Sequence, residues 1–122
     1  MRYVDPEITV ADIGERVAVV SIHGELDLNC AGELREALNG SEGQGRSLVV
    51  DLVGATFVDS TALGILNAAS KGLQRAGGSL TIVASDPRIL RIFKLTGLDR
   101  TIAVERSLAE AIAQRLVSGA AV

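Results

Sequence analysis

Aromatic residues are scarce: the chain has two phenylalanines, one tyrosine and no tryptophan. It therefore lacks the stacking platforms on which RNA-recognition modules and single-strand binders hold bases. Cys30 is the sole cysteine and His23 the sole histidine. One cysteine excludes an intrachain disulfide and a CxxC metal knuckle, and one histidine without partners at ligand spacing makes no metal site. No dense Lys/Arg run occurs and the formal net charge is −3, which argues against nucleic acid or an anionic membrane as a direct partner. No apolar run is long enough to span a bilayer. Met1–Pro6 is followed by acidic and polar residues, so no signal peptide is expected and the expected location is cytoplasmic. A P-loop, a dinucleotide fingerprint and a nucleophile–His–acid set are also missing, so no catalytic residue is assigned and no enzyme is expected.

What remains is a chain of 122 residues, 48% of them hydrophobic, enough for one domain over 1–122 with its own core. Ile8–Ile13 and Arg16–Ile22 read as two strands separated by a Gly14-Glu15 turn, hence antiparallel. Asn29 can cap a helix running to about Leu38, with Leu34, Ala37 and Leu38 as its apolar stripe. Cys30 near its start is expected to be a small buried residue, although a helix start can also lower a thiol's pKa. Asn39–Gly45 reads as a flexible loop; it precedes a strand, so it is no phosphate cradle. Leu48–Val53 is a continuous apolar run of buried-strand type, and a helix follows over 61–76, ending at Gly77-Gly78.

Ser79–Ala84 is another buried strand. Asp86-Pro87 supplies an N-cap and a first-turn proline for a helix through Ile89, Leu90, Phe93 and Leu95 to a Gly97 stop. Thr101–Val104 is a short last strand. Ser107 and Glu110 form a capping box for a final helix with Leu108, Ala111, Ile112 and Leu116 inward. A frayed tail is expected over 117–122. The order ββαβαβαβα predicts an α/β fold: a mixed sheet of about five strands, an N-terminal antiparallel hairpin then parallel strands, with about four helices.

Two turns concentrate polar chemistry. At the end of the second strand, Gly24 permits a sharp exit and the carboxylates of Glu25 and Asp27 follow on an exposed bend. At the strand-to-helix turn Phe57–Gly64, Asp59 and Ser60 are both good N-cap residues. A hydroxyl at such a turn is exposed near the positive end of a helix. A projection at about 100° per residue puts Ala62, Ile65, Leu66, Ala69, Leu73 and Ala76 on one face. Leu63 falls with Asn67, Ser70 and Gln74 on the polar side, which predicts an exposed leucine, a docking contact, one turn from Ser60.

The stretch Phe57-Val-Asp-Ser-Thr-Ala-Leu-Gly64 resembles the F-[MVI]-D-S-[ST]-G-L-G signature of the STAS domain, and more closely that of bacterial anti-sigma factor antagonists. It departs at Ala62, where the family usually has glycine. His23-Gly-Glu-Leu-Asp27 resembles the family's G-E-[LI]-D element. Asp86–Leu98 resembles its P-x-[IV]-x-R-[LI]-[FL]-x-[LM]-[ST]-G-[LF] segment, with Arg91 at the basic position. The resemblance covers roughly residues 8–116 and implies the STAS fold.

It also implies a partner-switching cycle. The unphosphorylated protein would bind an anti-sigma factor that is a serine kinase of the GHKL type, freeing a sigma factor. That kinase would phosphorylate Ser60, with Thr61 as the alternative acceptor, and a PPM-type serine phosphatase would reset the cycle. The protein needs no cofactor of its own, since ATP and Mg²⁺ belong to the kinase. Gly24, Glu25, Asp27, Asp59, Ser60, Thr61 and Leu63 would form the partner-binding surface. The alternative is a STAS scaffold module in a sensory or stress-signalling complex without direct sigma factor control.

Overall fold

A computed structural model describes residues 7–42 and 45–120. β1 (Glu7–Ile13) and β2 (Val17–Leu26) form the expected antiparallel hairpin, with Val10 opposite Val20. β3 (Ser47–Asp51) joins β2 in parallel, Val19 beside Val49. β5 (Ser79–Val83) joins β3 and β6 (Ala103–Glu105) joins β5, also in parallel. The order is β1-β2-β3-β5-β6, so β2 lies inside the sheet.

A sixth strand, β4 (Ala55–Val58), was not expected from the sequence. It pairs in parallel with the far end of β2, Leu26 beside Val58, after a register shift between Gly24 and Glu25. Strand β3 stops at Asp51, before the expected Val53, because the Asp51 carboxylate turns the chain by accepting the Val53 N–H at 3.0 Å.

Alternation along the strands sorts the core into two layers. Ala18, Val20, Ile22, Leu48, Val50, Leu80 and Ile82 belong to the larger apolar cluster. It is roofed by α1 (Ala31–Glu42), α2 (Ser60–Arg75) and α3 (Pro87–Thr96), through residues such as Leu34, Leu38, Leu66, Leu73, Ile89 and Phe93. Val17, Val19, Val49 and Val83 form a smaller cluster with Ala111 of α4 (Leu108–Ala120). Covering on both sides is why the central strands read as unbroken apolar runs.

Several boundaries differ from the sequence reading. The expected cap at Asn29 is not formed: Asn29 lies inside a 3-10 turn over Leu28–Cys30 that leads into α1, and Asp27 caps that turn, its carboxylate accepting the Asn29 N–H at 3.0 Å. Helix α1 continues to Glu42 through most of the expected 39–45 loop, whose residues 43–44 lie outside the described residues. The last strand begins at Ala103, because a 3-10 turn over Leu98–Arg100 occupies the chain before it. Helix α4 runs to Ala120, past the start of the expected tail; 121–122 lie outside the described residues.

Two leucines of the later helices point out, and of these Leu116 was expected inward. Leu95 is 73% exposed, because it lies opposite the Ile89–Phe93 stripe of α3. Leu116 is exposed because the inward arc of α4 runs through Leu108, Ala111, Ile112 and Arg115. Other expectations hold. Asp86 caps α3 with Pro87 in its first turn and Gly97 left-handed at its end. Of the expected Ser107–Glu110 box one half forms: the Ser107 hydroxyl accepts the Glu110 N–H at 3.2 Å.

Candidate functional site

The two polar turns of the sequence meet in space because β4 pairs with the end of β2. Gly24, with φ of 97°, sits at the register shift in a backbone conformation that side chains disfavour. Its N–H donates to the Gly54 carbonyl at 3.0 Å, which ties β2 to the loop before β4. Glu25 then lies beside Phe57. Leu26 accepts the Asp59 N–H on its carbonyl at 3.1 Å.

Asp59 is the hinge pin of this junction. One carboxylate oxygen accepts the Ala62 N–H at 2.9 Å and caps α2; the other accepts the Leu28 N–H at 2.9 Å. The cap therefore leaves the Ser60 hydroxyl out. Ser60 is exposed as the first residue of α2, and Thr61 beside it is half-buried. Ala62 is buried within the first turn and no non-glycine residue among those described has positive φ, so the position does not need the family's glycine.

Leu63 is not where the wheel put it. It is 7% exposed and belongs to the larger core with Ile89 and Phe93 of α3. The buried set of α2 runs from Ile65 round to Leu63 and includes Ser70. This arc is wider than a single sheet contact gives, because α2 packs against α1 as well as on the strands. The exposed apolar side chains at the junction are instead Leu28, 66% exposed, and Phe57, 48% exposed. The sequence reading did not single them out. The available signal was that each sits directly beside a polar turn, Leu28 after Asp27 and Phe57 two residues before Asp59.

Cys30 is 2% exposed and donates its S–H to the Asp27 carbonyl at 3.1 Å. Burial pushes the thiol above its ordinary pKa, and the Asp27 charge adds to this against the lowering effect of that hydrogen bond. The helix start does not activate it. Arg91 is exposed, in an open cleft with Ser85, Pro87, Leu90, Lys94 and Arg106. Among the described residues no group of three or more His, Cys, Asp or Glu side chains could hold a metal ion, and no helix is long and apolar enough to cross a membrane.

Beside Ser60 lies a groove of about 470 Å³ between α1 and α2. Arg35, Leu38 and Asn39 line it from α1; Ser60, Thr61, Gly64, Ile65, Ala68 and Ala69 line it from α2.

Fold and junction together define the class. Residues 9–111 match the family model of the STAS domain, and the chain belongs to that family. Among its relatives, the anti-sigma-B factor antagonist of Bacillus subtilis is 38% identical over 79 residues, covering 65% of this chain and 72% of that one. A crystal structure of an anti-sigma factor antagonist from Mycobacterium paratuberculosis superposes with a TM-score of 0.82 at 32% identity, covering 91% of this chain and 94% of that one. An anti-sigma-factor antagonist (STAS) domain protein from Planctomyces limnophilus shares the fold with a TM-score of 0.78 at 18% identity, over 88% of this chain and 96% of that one.

Proposed function

We propose that this protein is an anti-sigma factor antagonist that works by partner switching and is not itself an enzyme. The relatives bearing that name support the class. The observation that carries the switch is the division of labour at the start of α2: Asp59 makes the cap, and the neighbouring Ser60 hydroxyl is exposed and free for modification.

In its unphosphorylated form the protein docks an anti-sigma factor through the junction of Gly24, Glu25, Asp27, Asp59, Ser60 and Thr61, with Leu28 and Phe57 as apolar anchors in place of buried Leu63. That docking frees a sigma factor. The anti-sigma factor is a GHKL-type serine kinase, which supplies ATP and Mg²⁺ and transfers a phosphoryl group to Ser60 Oγ. A PPM-type serine phosphatase removes it. All of this takes place in the cytoplasm.

A phosphate adds about −1.5 to −2 charges at one point. Glu25, Asp27 and Asp59 already place carboxylates around the junction, so the added charge must be desolvated among like charges on docking. A tenfold loss of affinity needs only about 1.4 kcal/mol. The helix is already capped, so the phosphate can be added without refolding the domain.

Affinity capture from the native cell tests this. The wild-type protein and Ser60→Ala should retain a sigma-binding kinase, and Ser60→Glu should retain less of it. Recovery of sensor proteins alone by all three would instead make the protein a scaffold module.

A further inference from the structure

The acidic groups of the junction are Glu25 near the end of β2, Asp27 just after it, and Asp59 at the helix cap. The groove between α1 and α2, which Ser60 also lines, includes none of them and differs in charge. None of the nine residues lining it is acidic, and Arg35 is its single cation. Arg35 and Asn39 stand one turn apart on the same face of α1. Arg35 is exposed, and among the described residues it has no ion-pair partner, whereas Arg46, Arg88 and Arg115 each have one. Across the groove, Gly64 and Ala68 keep the wall of α2 low; a Cβ at Gly64 would meet nothing within 4 Å.

We infer that Arg35 is the internal receptor for the phosphoryl group on Ser60: once Ser60 is phosphorylated, the guanidinium on α1 takes the phosphate across the groove. The inference rests on the reading of Ser60 as the modified residue and adds where the phosphate goes. A guanidinium meets two phosphate oxygens at once with parallel N–H bonds, and the Asn39 amide adds a further donor from the same face. The phosphate then bridges α1 and the first turn of α2. A glutamate at position 60 has one planar carboxylate and cannot present three tetrahedral oxygens, so it makes this bridge poorly.

The test installs phosphoserine at position 60 during translation, so that no kinase is needed, and follows its second ionisation by phosphorus NMR. An adjacent cation favours the dianion and lowers that pKa from its ordinary value of about 6. Asp59, Asp27 and Glu25 raise it, equally in every variant. In phosphorylated Arg35→Gln the phosphate should titrate about half a pH unit or more above the phosphorylated wild type. Arg35→Lys should fall between them, since it keeps the charge and loses the fork. Arg35 is exposed, so these variants should fold, and circular dichroism checks that they do. Coincident titration curves for all three would overturn the inference while leaving phosphorylation of Ser60 standing. Failure of any kinase to label Ser60 would remove the switch without altering the titration result.

Discussion

The Leu28 N–H and the Asp59 carboxylate meet at 2.9 Å across 31 positions of sequence, and the second oxygen of the same carboxylate caps α2 through Ala62. One side chain thus fixes the bend after β2 against the helix that carries Ser60. Local chain chemistry and the pairing of β2 with β4 converge on it.

Asp59→Ala should therefore destabilise the protein by about 1–3 kcal/mol, the cap and one further hydrogen bond together. Ser60→Ala, which removes no cap, should stay within about 0.5 kcal/mol of wild type. Urea unfolding of the two variants measures the contrast. Equal losses would mean that Ser60 shares the capping.

Leu63→Ala should cost about 2–5 kcal/mol, as expected for a leucine packed in a core. Leu28→Ala and Phe57→Ala should leave the melting temperature far closer to wild type and weaken binding of the anti-sigma factor. Thermal unfolding read beside a binding isotherm separates packing from docking. An unchanged melting temperature for Leu63→Ala would return that residue to the surface.

The sequence made most of the fold legible because the strands are buried on both faces and the later helices have clear stops. Gly97 ends α3 in the left-handed conformation, and Gly78 closes α2 by donating to the Leu73 carbonyl at 2.7 Å. β4 was not legible, because Ala55–Val58 is short and its burial pattern does not alternate. The 3-10 turn before α1 was not legible, because Asp27 and Asn29 are both good caps two residues apart, and only the Asp27–Asn29 hydrogen bond decides between them. Leu63 was misplaced because a helix wheel knows one buried face, whereas α2 has neighbours beyond the sheet. The position of Ser60 was legible; the role of Asp59 as cap and strut needed the third dimension.

Cys30 should react slowly with iodoacetamide in the native protein near pH 8. Burial and the Asp27 charge raise its pKa, so less thiolate is present than for a free cysteine at that pH. Denaturant should expose the thiol and restore ordinary reactivity. Because the folded pKa is the higher one, the folded state holds the proton more tightly. Stability from this group is full below the unfolded thiol pKa and falls as pH rises through the folded one. Rapid native labelling at pH 8 would contradict the buried thiol.

Under the proposed function Ser60, not Thr61, is the switch, and kinase labelling of alanine variants decides between the two. Wild type, Ser60→Ala and Thr61→Ala are each shown to be folded by circular dichroism, then incubated with the anti-sigma factor kinase and labelled ATP. Ser60 is exposed while Thr61 is half-buried, one step into the helix and against the groove. The label should disappear in Ser60→Ala and persist in Thr61→Ala. Full labelling of Ser60→Ala with loss in Thr61→Ala would move the switch to Thr61 and contradict the account.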